Sequence, residues 1–149
     1  MVILKRTNNL NHDFKNLIME LDNDLHNRYN NMKYQYDAYT RLDNLETVIV
    51  AYMEDVAVGC SCFKRIGDDT VEIKRTYVNP YLRGLGLASS MLSELTFWAK
   101  ELRFNRAVLE IGKKQEEAYK LYLKNGFVRI PNFEPYIGSR NSICMGKDL

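Results

Sequence analysis

The stretch Val78-Asn79-Pro80-Tyr81-Leu82-Arg83-Gly84-Leu85-Gly86-Leu87-Ala88 constrains the fold more than any other, because it joins two unlike patterns across a pair of glycines. Before it lie three β-type runs, Thr47–Met53, Ala57–Arg65 and Thr70–Val78, separated by the turn signals Glu54-Asp55 and Gly67-Asp68-Asp69 and stopped by Asn79-Pro80. Connections this short predict an antiparallel meander. After the glycines, Leu87, Met91, Leu92, Leu95, Trp98, Ala99 and Leu102 recur at the helical period. A strand that turns through glycine into a helix presents unpaired N–H groups at the positive end of the helix dipole, which favours a phosphate. Arg83 adds a fixed positive charge. The alternative is a tight turn in which the glycines only satisfy positive φ. The segment lacks the G-x-x-x-x-G-K-[ST] pattern, and its strand belongs to a meander rather than a βαβ unit, which argues against a dinucleotide-binding fold.

The remaining elements are read from spacing. Phe14, Leu17, Ile18, Leu21 and Leu25 predict an amphipathic helix over about 13–25, and a second short helix is expected around Tyr34–Thr40. Ala107–Ile111 reads as a buried strand, Gln115–Lys124 as a helix closed by left-handed residues at Asn125-Gly126, and Phe127–Ile130 and Ser142–Met145 as final strands. The predicted order is helix, three strands, helix, strand, helix, two strands.

At 149 residues with 46% hydrophobic content, the chain is expected to form one domain, residues 1–149, with a core that needs no disulfide or metal. Its net charge of +2 is too small for a dedicated nucleic-acid binder. Lys113, Lys114, Lys120 and Lys124 read as a solvated helix face. The longest apolar run, Val48–Met53, is far too short to span a bilayer, and Val2–Leu4 is too short for a signal sequence, so the expected location is cytoplasmic. The three cysteines read as buried free thiols, Cys60 and Cys62 on one strand face, and no metal site is expected from His12 and His26.

A second segment, Ala118-x-x-Leu121-Tyr122-x-x-x-Gly126-Phe127, places Ala118, Leu121 and Tyr122 on one helix face. Together with Arg83-Gly84-Leu85-Gly86-Leu87-Ala88 it resembles the GNAT acetyltransferases, whose pyrophosphate loop reads [QR]-x-x-G-x-[GA] and whose later helix reads A-x-x-L-Y-x-x-x-G-F. The match is strongest over 71–127. The resemblance implies an α/β fold with a mixed, mostly antiparallel central sheet flanked by helices and splayed at the cofactor site. It implies acetyl-CoA as cosubstrate, held by Tyr77, Val78, Arg83, Gly84, Leu85, Gly86, Leu87, Ala88, Ser89 and Gln115, the last standing where many members carry an Asn that touches the pantetheine arm. Residues 1–45, which in the family shape the acceptor pocket, match no pattern.

Acetyl transfer to an amine poses three chemical problems. An alkyl ammonium of pKa about 10 must lose a proton. The resemblance gives this task to Glu72, with Glu110 in reserve. The thioester oxygen needs a donor as charge develops, which in the family is a backbone N–H near Tyr77 and Val78. The departing thiolate needs a hydrogen bond or proton, for which the resemblance proposes Tyr122. A non-catalytic acyl-CoA sensor could dispense with Glu72 and Tyr122. The acceptor is expected to be a small amino-acid-like amine, its carboxylate met by Lys74 and Arg75 on opposite strand faces, beside an aromatic wall of Phe133 and Tyr136. The partners expected are acetyl-CoA and that amine, with the chain a monomer or homodimer.

Overall fold

A computed structural model describes residues 1–29 and 45–149. The expected second helix at 34–40 lies outside them. The seven strands are β1 (Val2–Thr7), β2 (Thr47–Met53), β3 (Val56–Arg65), β4 (Thr70–Val78), β5 (Arg106–Gly112), β6 (Val128–Ile130) and β7 (Ser142–Asp148). They form one sheet in the order β1-β2-β3-β4-β5-β7-β6. Every neighbouring pair is antiparallel except β4 and β5. The helices are α1 (His12–Tyr29), α2 (Leu87–Glu101) and α3 (Glu116–Lys124), with a short 3-10 turn at Pro80–Leu82.

The apolar stripes dictate which helix covers which face. Met91, Leu92, Leu95 and Ala99 of α2 and Tyr122 of α3 pack with Ile49, Phe63, Val71, Ile73 and Leu109 on one face. Phe14, Leu17, Ile18 and Leu21 of α1 pack with Val48, Val50, Cys60, Cys62 and Tyr77 on the other. The three cysteines are free and buried. Among the described residues no helix is long and apolar enough to cross a membrane.

Three expectations about the fold need correction. Strand β1 was not foreseen. It is an edge strand exposed along most of its length, so no hydrophobic alternation marks it. Tertiary contacts hold it instead: antiparallel pairing with β2, and Arg6, which reaches Glu94 at 2.7 Å and Glu101 at 2.6 Å and lies over the Trp98 ring at 4.7 Å. At the end of α3, only Gly126 is left-handed, at φ 89°, whereas Asn125 sits at φ −94°. The Asn125 side chain instead caps locally, donating to the Leu121 carbonyl at 2.8 Å and to Ser89 Oγ at 3.1 Å, which ties α3 to the start of α2.

The most consequential irregularity lies in β4. Opposite Cys60 and Cys62 of β3 stand Tyr77 and Lys74, so β4 carries an extra residue there. Arg75 has φ 58°, a left-handed conformation that bulges accommodate and that side chains rarely adopt. The bulge changes which way each side chain faces. Strict alternation would put Ile73 and Tyr77 on one face, yet Ile73 packs with α2 and Tyr77 with α1. It also corrects the expected placement of Lys74 and Arg75 on opposite faces, because Arg75 pairs with Asp22 of α1 at 2.9 Å.

Helix α2 approaches the sheet closely at Gly59. A Cβ there would lie 2.9 Å from the Tyr77 carbonyl oxygen and 3.2 Å from Met91 Cε. Because the backbone oxygen cannot yield, Gly59→Ala is expected to cost about 1–3 kcal/mol, as overpacking usually does, read as a lower urea midpoint at unchanged slope.

Candidate active site

Strands β4 and β5 are paired only from Thr70↔Arg106 to Ile73↔Leu109, although both continue, to Val78 and Gly112. Beyond Ile73 they part. The gap opens a cleft of about 390 Å³, lined by Lys74–Val78, Leu109–Ile111, the Gly84 and Gly86 turn, the first residues of α2, and Tyr122.

At one end of the cleft stands the glycine turn. Gly84 and Gly86 have φ 86° and 83°, and a Cβ on either would meet nothing within 4 Å. The glycines thus serve the backbone conformation and leave open space above it. Ser90 is the first residue of α2 to reach back, to the Gly86 carbonyl at 3.0 Å, so the N–H groups of Leu87, Ala88 and Ser89 precede the first helical bond. Among the described residues no side chain caps this helix. Uncapped N–H groups beside an open, glycine-lined surface fit a pyrophosphate. Arg83 borders this turn, its Nε on the Val78 carbonyl at 3.1 Å, with Asp24 of α1 3.6 Å away and the Tyr77 ring 5.9 Å beneath.

The other expected cofactor residues divide. Tyr77, Val78, Arg83, Gly84, Gly86, Leu87, Ala88, Ser89 and Gln115 line the cleft. Leu85 is 64% exposed and does not. The Gln115 side chain accepts from the Gly112 N–H at 2.8 Å, so it also pins the end of β5 to the start of α3. Asn79 N–H reaches the Val58 carbonyl at 2.8 Å, and alternation along an antiparallel pair therefore directs the Val78 N–H away from β3, into the gap.

Tyr122 enters from the α3 side, 4% exposed and edge-on to Phe127 at 5.7 Å. Burial raises its phenol above the usual value, partly offset by a hydrogen bond with Thr76, whose own hydroxyl lies 2.7 Å from Ser61 Oγ. Its position on a buried helix face is what its sequence spacing anticipated. That Thr76 would be its neighbour depends on the bulge and was illegible.

The opposite face of the gap carries the carboxylates. Glu110 lines the cleft and accepts from Ser142 Oγ at 2.6 Å. Burial pushes its carboxyl up to about 7; the nearby Glu72 charge acts in the same direction, and the Ser142 bond and Lys74 act against it. Glu72 is 2% exposed and accepts from Tyr136 Oη at 2.7 Å, and it is not among the described residues that line the cleft. Lys74 lines the cleft, its ammonium lowered by burial. The expected aromatic wall is not available in full, because Tyr136 is 1% exposed with its hydroxyl spent on Glu72. Sequence reasoning passed over Ser142 and the hydroxyl of Tyr136, whose roles depend on a loop folding back over β4. Among the described residues no three His, Cys, Asp or Glu side chains group closely enough to hold a metal ion.

A seven-stranded sheet split between its parallel strands, with an uncapped glycine turn at one end of the split, is the arrangement of an acyl-CoA-binding transferase. A family model described as the Acetyltransferase (GNAT) family matches residues 11–127, and the chain belongs to that family. It is an acetyl-CoA-dependent N-acyltransferase. Among solved structures it resembles a candidate acyl-CoA N-acyltransferase from Klebsiella pneumoniae, with 25% identity and a TM-score of 0.83, over 100% of this chain and 98% of that one. It shares its fold with an acetyltransferase from Streptococcus agalactiae, at 21% identity and TM-score 0.76, over 99% and 98% of the two chains. The fold is also that of a GNAT acetyltransferase from Elizabethkingia anophelis with acetyl-CoA bound, at 17% identity and TM-score 0.71, over 99% and 98%. No curated protein sequence matches the chain.

The raised Glu110 carboxyl makes stability depend on pH with a definite sign. Near pH 4.5 the unfolded chain begins to lose this proton while the folded chain keeps it to about 7, so this contribution to stability falls as pH rises through that window. Glu110→Gln removes the effect. The variant is expected to gain on the wild type by roughly 3 kcal/mol between pH 4.5 and 8, measured by urea unfolding across pH.

Proposed function

We propose that the chain transfers the acetyl group of acetyl-CoA to the primary amine of a small, amino-acid-like molecule, the amine attacking the thioester carbonyl directly in the gap between β4 and β5. The observation that carries this reading is convergence: the glycine turn, Tyr122 and Glu110 reach the same gap from three sides. The pyrophosphate is held by the N–H groups of Leu87, Ala88 and Ser89, across the open surface of Gly84 and Gly86. The remaining cofactor contacts come from Tyr77, Val78, Arg83 and Gln115.

The proton goes to Glu110 in this reading, in preference to Glu72. A carboxyl group poised near 7 has the strength of base that operates at neutral pH, and it borders the gap. The Val78 N–H, directed into the gap, donates to the thioester oxygen as it gains charge. Tyr122 donates to the departing sulfur. Because its phenol is raised while an ordinary thiol sits near 8.5, a hydrogen bond accounts for the assistance better than complete proton transfer.

A small acceptor suits a chain whose net charge of +2 provides no field to gather a polyanion or a strongly basic protein tail. An acceptor carboxylate falls to Lys74, which lines the cleft.

Thiol release from acetyl-CoA across a panel of amino acids, amines without a carboxylate, polyamines and peptides tests the reading. Turnover confined to polyamines or peptide lysines would end the small-acceptor assignment. Tyr122→Phe is expected to slow turnover at least about tenfold with acetyl-CoA affinity little changed, and a wild-type rate would leave Tyr122 a packing residue. Lys74→Met, assayed on the alkaline plateau, is expected to raise KM about tenfold for carboxylated amines and leave the others unmoved, as loss of a charged hydrogen bond predicts. An equal rise for both kinds would remove the carboxylate contact.

A further inference from the structure

Glu72 is a buried carboxylate beside the site that the proposed chemistry leaves unused. It projects from β4 on the α1 face, since its neighbours Val71 and Ile73 pack on the other. Its register partner on β5 is Val108, two residues before Glu110, so both carboxylates stand on the same face of adjacent strands. Both are largely out of water, and their environments differ. Glu110 borders the cleft, whereas Glu72 lies under the loop between β6 and β7, where Tyr136, itself 1% exposed, donates its hydroxyl at 2.7 Å. Burying a carboxylate is costly unless donors hold it, and a donor to the charged form favours that form.

We propose that Glu72 is a positioning residue that acts through Glu110: the Tyr136 hydroxyl fixes the Glu72 carboxylate beneath the gap, on the same sheet face as Glu110, where it supports Glu110 in taking the proton of the acceptor amine. The inference rests on the reading of Glu110 as proton acceptor. Among the described residues, the groups that face Glu110 are Glu72 and Lys74 from β4, Ser142 and Cys144 from β7, and Tyr136 from the loop. Of these, Glu72 supplies the negative charge and Lys74 opposes it, while Ser142 donates to the carboxylate. Cys144 stands directly opposite Glu110 in the sheet, with burial raising its thiol, so it contributes little charge near neutral pH. Loop and strand thus meet at one carboxylate pair, and the loop's part in catalysis is to hold the hidden member in place.

The pH dependence of kcat/KM tests this with a readout that simple packing would not move. The wild-type acid limb is expected near 7. In Glu72→Gln the limb is expected to move at least about half a unit lower, with the plateau rate within about threefold of wild type. Tyr136→Phe removes the hydroxyl that holds Glu72 in place and is expected to move the limb the same way, which keeps the test open if the Gln variant does not fold. An unmoved limb in both variants overturns the proposal. Loss of the plateau itself in Glu72→Gln, with the fold intact, also overturns it and makes Glu72 the base. Failure of the underlying reading is separate: Glu110→Gln would then retain both the limb and the rate.

Discussion

The rest of the structure depends on the parting of β4 from β5. A parallel pair normally continues to the ends of its strands, because every unpaired N–H and C=O is a loss. Here pairing stops at Ile73 and Leu109, and the strands diverge just before the bulge at Arg75. The bulge bends β4 away and reverses the facing of the residues after it, so Thr76 and Val78 join the α2 and α3 side while Tyr77 turns to α1. One extra residue therefore opens the cleft, aims the Val78 N–H into it and brings Thr76 to Tyr122. The left-handed φ of Arg75 costs free energy, and its guanidinium is anchored there by the pair with Asp22.

The two faces of the gap have opposite chemical characters, and this difference comes from what covers each. Helices α2 and α3 cover one face largely with apolar side chains, and Tyr122 brings its hydroxyl to that face beside Thr76. On the other face the polar side chains of β4, β5 and β7 alternate with the core residues, so Glu72, Lys74, Glu110 and Ser142 gather where little water reaches them. Desolvation is the largest influence on Glu110 and Lys74 alike, raising one and lowering the other, which brings both toward neutrality. A cluster of this kind is specific because each member's charge depends on its neighbours.

Helix α1 connects this chemistry to the glycine turn. Asp22 holds Arg75 at the bulge and Asp24 lies near Arg83 at the entrance to the turn. Burial and Glu20 together push the Tyr77 phenol up to about 12, which keeps it neutral beside the Arg83 guanidinium. One turn of α1 thus touches three successive parts of the β4 end.

Local pattern was enough to read most of the elements, because each amphipathic stripe buries one face whatever its partner. The runs Thr47–Met53 and Thr70–Val78 were legible to the residue, as were the glycine turn and the start of α2 at Leu87. The glycines and Tyr122 were legible too, since backbone conformation and helix spacing are local properties. Strand β1 was hidden, because an exposed edge strand is specified by its neighbour's free hydrogen bonds and by Arg6 reaching α2, not by its own alternation. The bulge was hidden as well: Arg75 resembles any strand residue until β3 and β5 impose different registers on β4. Which glutamate borders the cleft and which lies beneath Tyr136 was decided by tertiary structure alone, since the loop that separates them returns from 64 residues away along the chain. Burial and distance, rather than residue type, distinguish two chemically identical carboxylates.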